Sequence, residues 1–272
     1  MKFVFLCAAF LLLLPVSQAN ACFNGESVRL SDGYTVGYRH TDNHVPKGYM
    51  ILKKEVEQKL PEMMRKWQGT KDVRYLSDYA LLLALTKDYG KARDIYLQVE
   101  SIAPGRYATA ASLGTVYELL GDDRQALTWI RKAVRIDPAS HMGSEWLHVK
   151  ILEAKLQGSS AVNSKFLLNT SFGTQALPRT ALSKQQLLKL RDALFYQLNE
   201  RVSFIKPKDA LVAQLLFDLG NVAFLTDIEY ESEIIYGMAR EYGYASPLRR
   251  ARVAALAKQI KQRYHSKPAG KA

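Results

Sequence analysis

Three side chains in the middle of the chain have types and spacing that could hold a metal. His141, Glu145 and His148 stand at i, i+4 and i+7, one face of one helix. Two imidazoles and a carboxylate suit zinc or another divalent ion. The zinc-peptidase arrangement is different, with two histidines four apart and a glutamate between them. The competing expectation is a polar surface where His148 packs or hydrogen-bonds at a helix crossing, and it is preferred here, so no metal is assigned. A second group, His40, Asp42 and His44 in YRHTDNH, has loop composition, and such residues serve more often as solvated turn formers. Nucleophilic catalysis has little to build on. The chain has no Gly-x-Ser-x-Gly elbow, no glycine-rich phosphate loop and no dinucleotide fingerprint, and LSKQQ and SSAVNSK supply no convincing Ser-Lys pair. The expectation is a protein that is not an enzyme and takes no cofactor.

The first 21 residues, MKFVFLCAAFLLLLPVSQANA, have one Lys, an apolar run from Phe3 to Leu14 and a small-x-small ending at Ala19-Asn20-Ala21. This is the plan of a signal peptide cleaved after Ala21, so an exported, periplasmic or envelope-associated protein is expected, with no transmembrane span in the mature chain. Cys22 would then be the first residue. A lipid anchor there is the alternative, although bacterial lipoprotein signals resemble Leu-small-small-Cys and this chain offers Ala-Asn-Ala-Cys. With Cys7 lost, Cys22 has no partner for a disulfide. The formal charge of +12 is concentrated after Ser246, where Arg249, Arg250, Arg252, Lys258, Lys261, Arg263, Lys267 and Lys271 meet no acid. Export argues against nucleic acid as their partner. Val253, Leu256, Ala257, Ile260 and Tyr264 share one helical face, so the charges read as the wet side of a terminal helix.

The elements that would position these residues are mostly helices. Residues 22–47 read as an irregular segment with a hairpin at Asp32-Gly33, followed by a helix from about Gly48 to Trp67 that Pro61 must bend or interrupt. Residues 48–156 form an array whose core is two units, 73–106 and 107–140, related by a shift of 34 residues. Under that shift Tyr79, Ala80, Leu83, Ala92, Tyr96 and Pro104 fall on Leu113, Gly114, Tyr117, Ala126, Ile130 and Pro138, and Val99 falls on Ala133. Each unit is a pair of helices, because only Gly or Ala lets two backbones cross closely while larger neighbours fill the space around them. His148 takes the place of Ala80 and Gly114, so no ordinary second helix should pack close to it. A loop insertion with short strands near Lys165 is expected over 157–182. Helical patterns then resume over 183–272, with Leu216, Leu219-Gly220, Ser232, Tyr236 and Ala239 repeating the spacing in degenerate form and a basic capping helix closing the array.

These matched positions resemble the tetratricopeptide repeat family, the second unit most closely through Leu113-Gly114, Tyr117, Ala126, Ala133 and Pro138. The family's early Trp is absent, Leu76 and Ala110 standing in its place. The resemblance implies an all-α solenoid of helix hairpins that holds a protein or peptide partner in a concave groove lined by the first helices. In this chain that groove would present Arg74, Ser77, Leu81, Ala111, Thr115, Glu118, Glu145 and Val149. The variety that clamps chaperone C-termini uses Lys and Asn there, whereas Ser77, Ala111, Leu81 and Thr115 occupy the corresponding places, so that ligand is rejected. The runner-up function is an envelope-associated metal-binding protein or hydrolase built on His141, Glu145 and His148.

Overall fold

The computed structural model describes residues 27–39 and 43–265. The leader, Cys22, His40 and Asp42 lie outside the described residues. Three short strands, β1 (Ser27–Arg29), β2 (Thr35–Arg39) and β3 (Tyr49–Ile51), form an antiparallel sheet in that order. The expected hairpin at Asp32-Gly33 is there, with Gly33 at φ 87° and Asp32 accepting the Tyr34 N–H at 3.0 Å. The third strand was not expected. It occupies the start of the anticipated helix because Gly48 sits at φ 78°, a conformation no right-handed helix contains. Helix α1 (Lys53–Thr70) therefore begins later, and it continues through Pro61.

Five helices carry the array: α2 (Val73–Leu85), α3 (Tyr89–Ile102), α4 (Tyr107–Leu119), α5 (Asp123–Ile136) and α7 (Glu145–Gln157). Asp88 and Asp122 head the second helix of each unit, accepting backbone N–H groups from Lys91 and Gln125. Such caps satisfy otherwise orphaned donors. The hairpin crossings explain the repeat. Ala80, Ala92 and Tyr96 are fully buried in one unit, and Leu113, Ala126, Ile130 and Ala133 in the next. Tyr79 and Tyr117 are half-buried against the same clusters, whereas Pro104 and Pro138 are exposed terminators. A Cβ on Gly114 would lie 2.5 Å from Ile130 Cγ1, so only glycine fits without displacing that side chain.

Beyond the array the chain differs from the expected loop. Residues 159–161 form a 3-10 turn and α8 spans Ser164–Leu168, with no strand there. A short helix forms because Asn163 caps it, accepting the Phe166 N–H at 2.9 Å. Then come α9 (Lys184–Phe204), α10 (Ala210–Leu225), α11 (Glu229–Glu241) and α12 (Pro247–His265). The degenerate spacing is realised in the hairpin of α10 and α11. Leu216, Leu219, Ser232, Tyr236 and Ala239 are all fully buried, and a Cβ on Gly220 would meet Tyr236 Cδ1 at 2.6 Å. Ser232 stands where Ala92 and Ala126 stand, and its hydroxyl donates to the Gly220 carbonyl at 2.9 Å.

The terminal helix corrects one expectation. Leu256 is buried, with Val253 and Ile260 packed beside it, but Ala257 is exposed. Arg252, grouped with the solvated charges, is fully buried. Its guanidinium donates to the carbonyls of Phe172 and Gly173 at 2.8 and 2.7 Å and to Asn221, and it lies 5.0 Å from the Phe217 ring centroid. This arginine of α12 ties the segment after α8 to α10.

Candidate functional site

The inner wall of the array is where a groove was expected, and the chain fills it with its own polypeptide. At one end the sheet covers α2. Leu81 is buried with Val28, Leu30 and Val36 of the hairpin and Val56 and Met63 of α1, and Asp78 accepts the Ser31 N–H at 2.8 Å. Across the middle lies α9, with every residue from Ala193 to Arg201 buried. Its leucines at 187, 190, 194 and 198 form one stripe and join the core of α10 to α12. Gln197, Glu200, Arg201 and Phe204 form an adjoining stripe, Gln197 and Arg201 standing three positions after Leu194 and Leu198, and it turns toward the array. Asn199 accepts the Gly48 N–H at 3.1 Å and Ser203 accepts the Tyr49 N–H at 2.9 Å, so α9 reaches from the third unit to the sheet.

The predicted contact residues are placed accordingly. Ser77, Leu81, Ala111 and Glu145 are buried, the Glu118 side chain is 7% exposed, and Thr115 and Val149 are half-buried. Arg74 alone of the set is exposed, and it is paired with Asp72. As a list of free contact residues the set is corrected: all but Arg74 are buried or half-buried, Leu81 beneath the sheet and Glu118 against Arg201 of α9.

That interface contains a buried ionic row. His148 Nε2 lies 2.7 Å from Glu118 Oε2, and its Nδ1 lies 3.7 Å from Glu145 Oε2. Glu145 also contacts His141 Nδ1 and accepts the Tyr107 hydroxyl at 2.8 Å. Glu118 takes Lys155 at 2.8 Å and Arg201 at 3.3 Å, while Gln197 of α9 donates to Ser144 at 3.1 Å. The His141 ring stacks on Tyr196 with centroids 4.9 Å apart. Burial alone would raise both carboxyls, but the cations and imidazoles around them hold Glu118 and Glu145 well below the usual carboxylate range. Burial and Arg201 both press His148 downward; its bonds to Glu118 and Glu145 win and raise it. For Glu200 burial outweighs the pull of His141, His148 and Arg201 and pushes it up.

The three residues singled out as ligand types do come together, but they pair with one another and with Glu118 rather than converge on a common point. Among the described residues no group of three His, Cys, Asp or Glu is arranged to hold a metal ion. His44, of the second group, packs its ring against Phe195 and contacts Glu231 at 3.6 Å. Missed from sequence were Tyr107, Tyr196, Glu200 and Arg201. His141 enters the row through α6 (Ser140–Gly143), a single turn in which His141 and Met142 both have left-handed backbones, φ 53° and 56°. Such a pair is costly for residues with a Cβ. It turns His141 inward and leaves Met142 64% exposed.

Outside the row, one open cleft of about 520 Å³ lies between this turn and the N-terminal half of α9, lined by Met142, Trp146, Leu168, Leu182, Lys189 and Leu190 among others. Trp146 is 40% exposed. No described helix is long and apolar enough to cross a membrane.

Residues 109–140, which hold nearly all of α4 and α5, match the family model of the tetratricopeptide repeat. A crystal structure of a tetratricopeptide repeat protein from Parabacteroides merdae covers 75% of this chain and 79% of its own, at 12% identity and a TM-score of 0.37. That superposition is too loose to transfer residues. Among curated proteins no sequence matches the chain.

Proposed function

We infer that this chain, which belongs to the tetratricopeptide repeat family, is a scaffold for a protein partner and performs no chemistry of its own. Helix-hairpin arrays are a protein-interaction architecture, because stacked units present an extended surface on a rigid frame. Here the concave side is taken by α9, so the partner's place is the cleft at the end of the array. The observation that carries this reading is the pairing of a large cleft with exposed anchors, Met142 at 64% and Trp146 at 40%. Aromatic and thioether side chains at a crevice are the residue types that dominate interface energetics. Export is part of the proposal, supported by the signal-peptide plan of residues 1–21, with the mature chain beginning at Cys22.

Crosslinking in the envelope fraction tests it. Wild type and a Tyr230→Ala control, altered at an exposed residue remote from the cleft in sequence, should capture the same partner, and Met142→Asp with Trp146→Ala should lose it. Equal capture by all three would end the cleft reading. Intact-mass analysis of the purified protein should give a chain starting at Cys22; a retained leader would remove the export part of the proposal.

A further inference from the structure

The row between the array and α9 alternates in sign along its length: His141, Glu145, His148, Glu118, then Arg201 and Lys155. At its centre His148 has a carboxylate opposite each ring nitrogen. A neutral imidazole has one N–H and one lone pair, so it can donate to Glu118 or to Glu145 and must turn the lone pair toward the other. The imidazolium donates to both. Bulk water is kept away, since the side chains of His148, Glu145 and Glu118 are only 2%, 1% and 7% exposed. We propose that this row is a proton-operated clasp between the inner wall of the array and α9, closed while His148 is an imidazolium and loosened when it gives up its proton.

The groups that face His148 come from four elements. From α4 there are Tyr107 and Glu118; from α6 and α7, His141, Glu145 and Lys155; from α9, Tyr196, Glu200 and Arg201. Arg201 opposes a charged ring, and the two carboxylates outweigh it. Because the folded value is raised, the stabilisation is complete below the ordinary imidazole range and is lost as pH rises through the folded value. Glu200 lines both small cavities beside the row, and burial keeps its carboxyl neutral to higher pH than usual. Its ionisation adds a negative charge near Glu145, so it acts in the same direction. The contacts that part are polar, Gln197 with Ser144 and Arg201 with Glu118, whereas α9's leucine stripe stays in the apolar core it shares with α7 and with α10 to α12. Polar intrachain interfaces of this kind are the ones expected to move.

Two measurements on the intact protein test the clasp. In a proton NMR titration His148 should change charge above the free-imidazole value of about 6.5. By hydrogen exchange between pH 6 and pH 8.5, protection factors over 195–204 should fall more than those of α3. His148→Gln donates to one carboxylate only and does not titrate there, so its α9 protection should fall less between pH 6 and pH 8.5 than that of the wild type and meet the wild-type value at pH 8.5. A His148 midpoint at or below about 6.5, or parallel loss of protection in α9 and α3, overturns the proposal. Should His148→Gln not fold, the two wild-type readouts decide alone.

Discussion

Replacing Gly114 by alanine should change sign with the identity of residue 130. The added Cβ would stand 2.5 Å from Ile130 Cγ1, closer still to Cδ1, and 3.3 Å from the Ile130 backbone nitrogen. Carbon atoms prefer about 3.5 to 4.0 Å, so the isoleucine must retreat by roughly 1 Å into a fully buried site. Overpacking of that kind costs about 1 to 3 kcal/mol. Against it stands the gain of about 1 kcal/mol for alanine over glycine inside a helix. The net expectation is a loss of about 1 kcal/mol. In an Ile130→Ala background, itself about 2 to 5 kcal/mol less stable, the clash is gone. Gly114→Ala should then stabilise by about 1 kcal/mol, giving a coupling of about 2 kcal/mol. Urea unfolding of the four proteins, followed by far-ultraviolet circular dichroism and by tryptophan fluorescence with Trp129 beside the site, measures the cycle. The same sign in both backgrounds would refute close crossing as the reason for the repeat's glycine.

Three further outcomes follow from buried polar groups. Burial raises Asp218 from 3.8 to about 6, although Gln214, Ser164, Arg252 and Asn221 oppose it. Its neutral form stabilises the fold below pH 3.8 and that contribution disappears as pH rises through 6, a loss of about 3 kcal/mol. Asp218→Asn should flatten the urea-measured stability between pH 3 and 7 by that amount, and an unchanged slope would count against it. Asp78, raised by burial to about 6 despite bonds from Ser31, should behave likewise in Asp78→Asn. Arg252→Met should cost about 3 kcal/mol or more, because it strands the carbonyls of Phe172 and Gly173; limited proteolysis should then cut first in residues 171–180.

What the residues revealed in advance was the crossing geometry. Ala80, Gly114 and Gly220 each sit sixteen positions before Tyr96, Ile130 and Tyr236, and a close approach leaves that signature wherever it occurs. His148 in the same place announced a crossing that is not made; the imidazole reaches Glu118 instead. The filling of the groove was not legible. Gln197, Glu200 and Arg201 have the types of a solvated face, and nothing local says that the water is replaced by the inner wall of another unit. Arg252 misleads for the same reason, since its carbonyl partners come from about 80 residues earlier. The left-handed pair at His141 and Met142 has neither Gly nor Asn to mark it, so it is imposed by tertiary contacts.

Solenoids ordinarily grow and shrink by whole units in evolution, since each touches only its neighbours. Helix α9 removes that freedom. At about 1.5 Å per residue it acts as a ruler laid along the units, fastened at Ser144, Glu118 and Tyr49. Inserting another 34-residue unit between those fastenings would put them out of register with a rod that cannot stretch. The number of repeats beneath α9 is thereby fixed by its length, and diversification is confined to the ends and the outer surface.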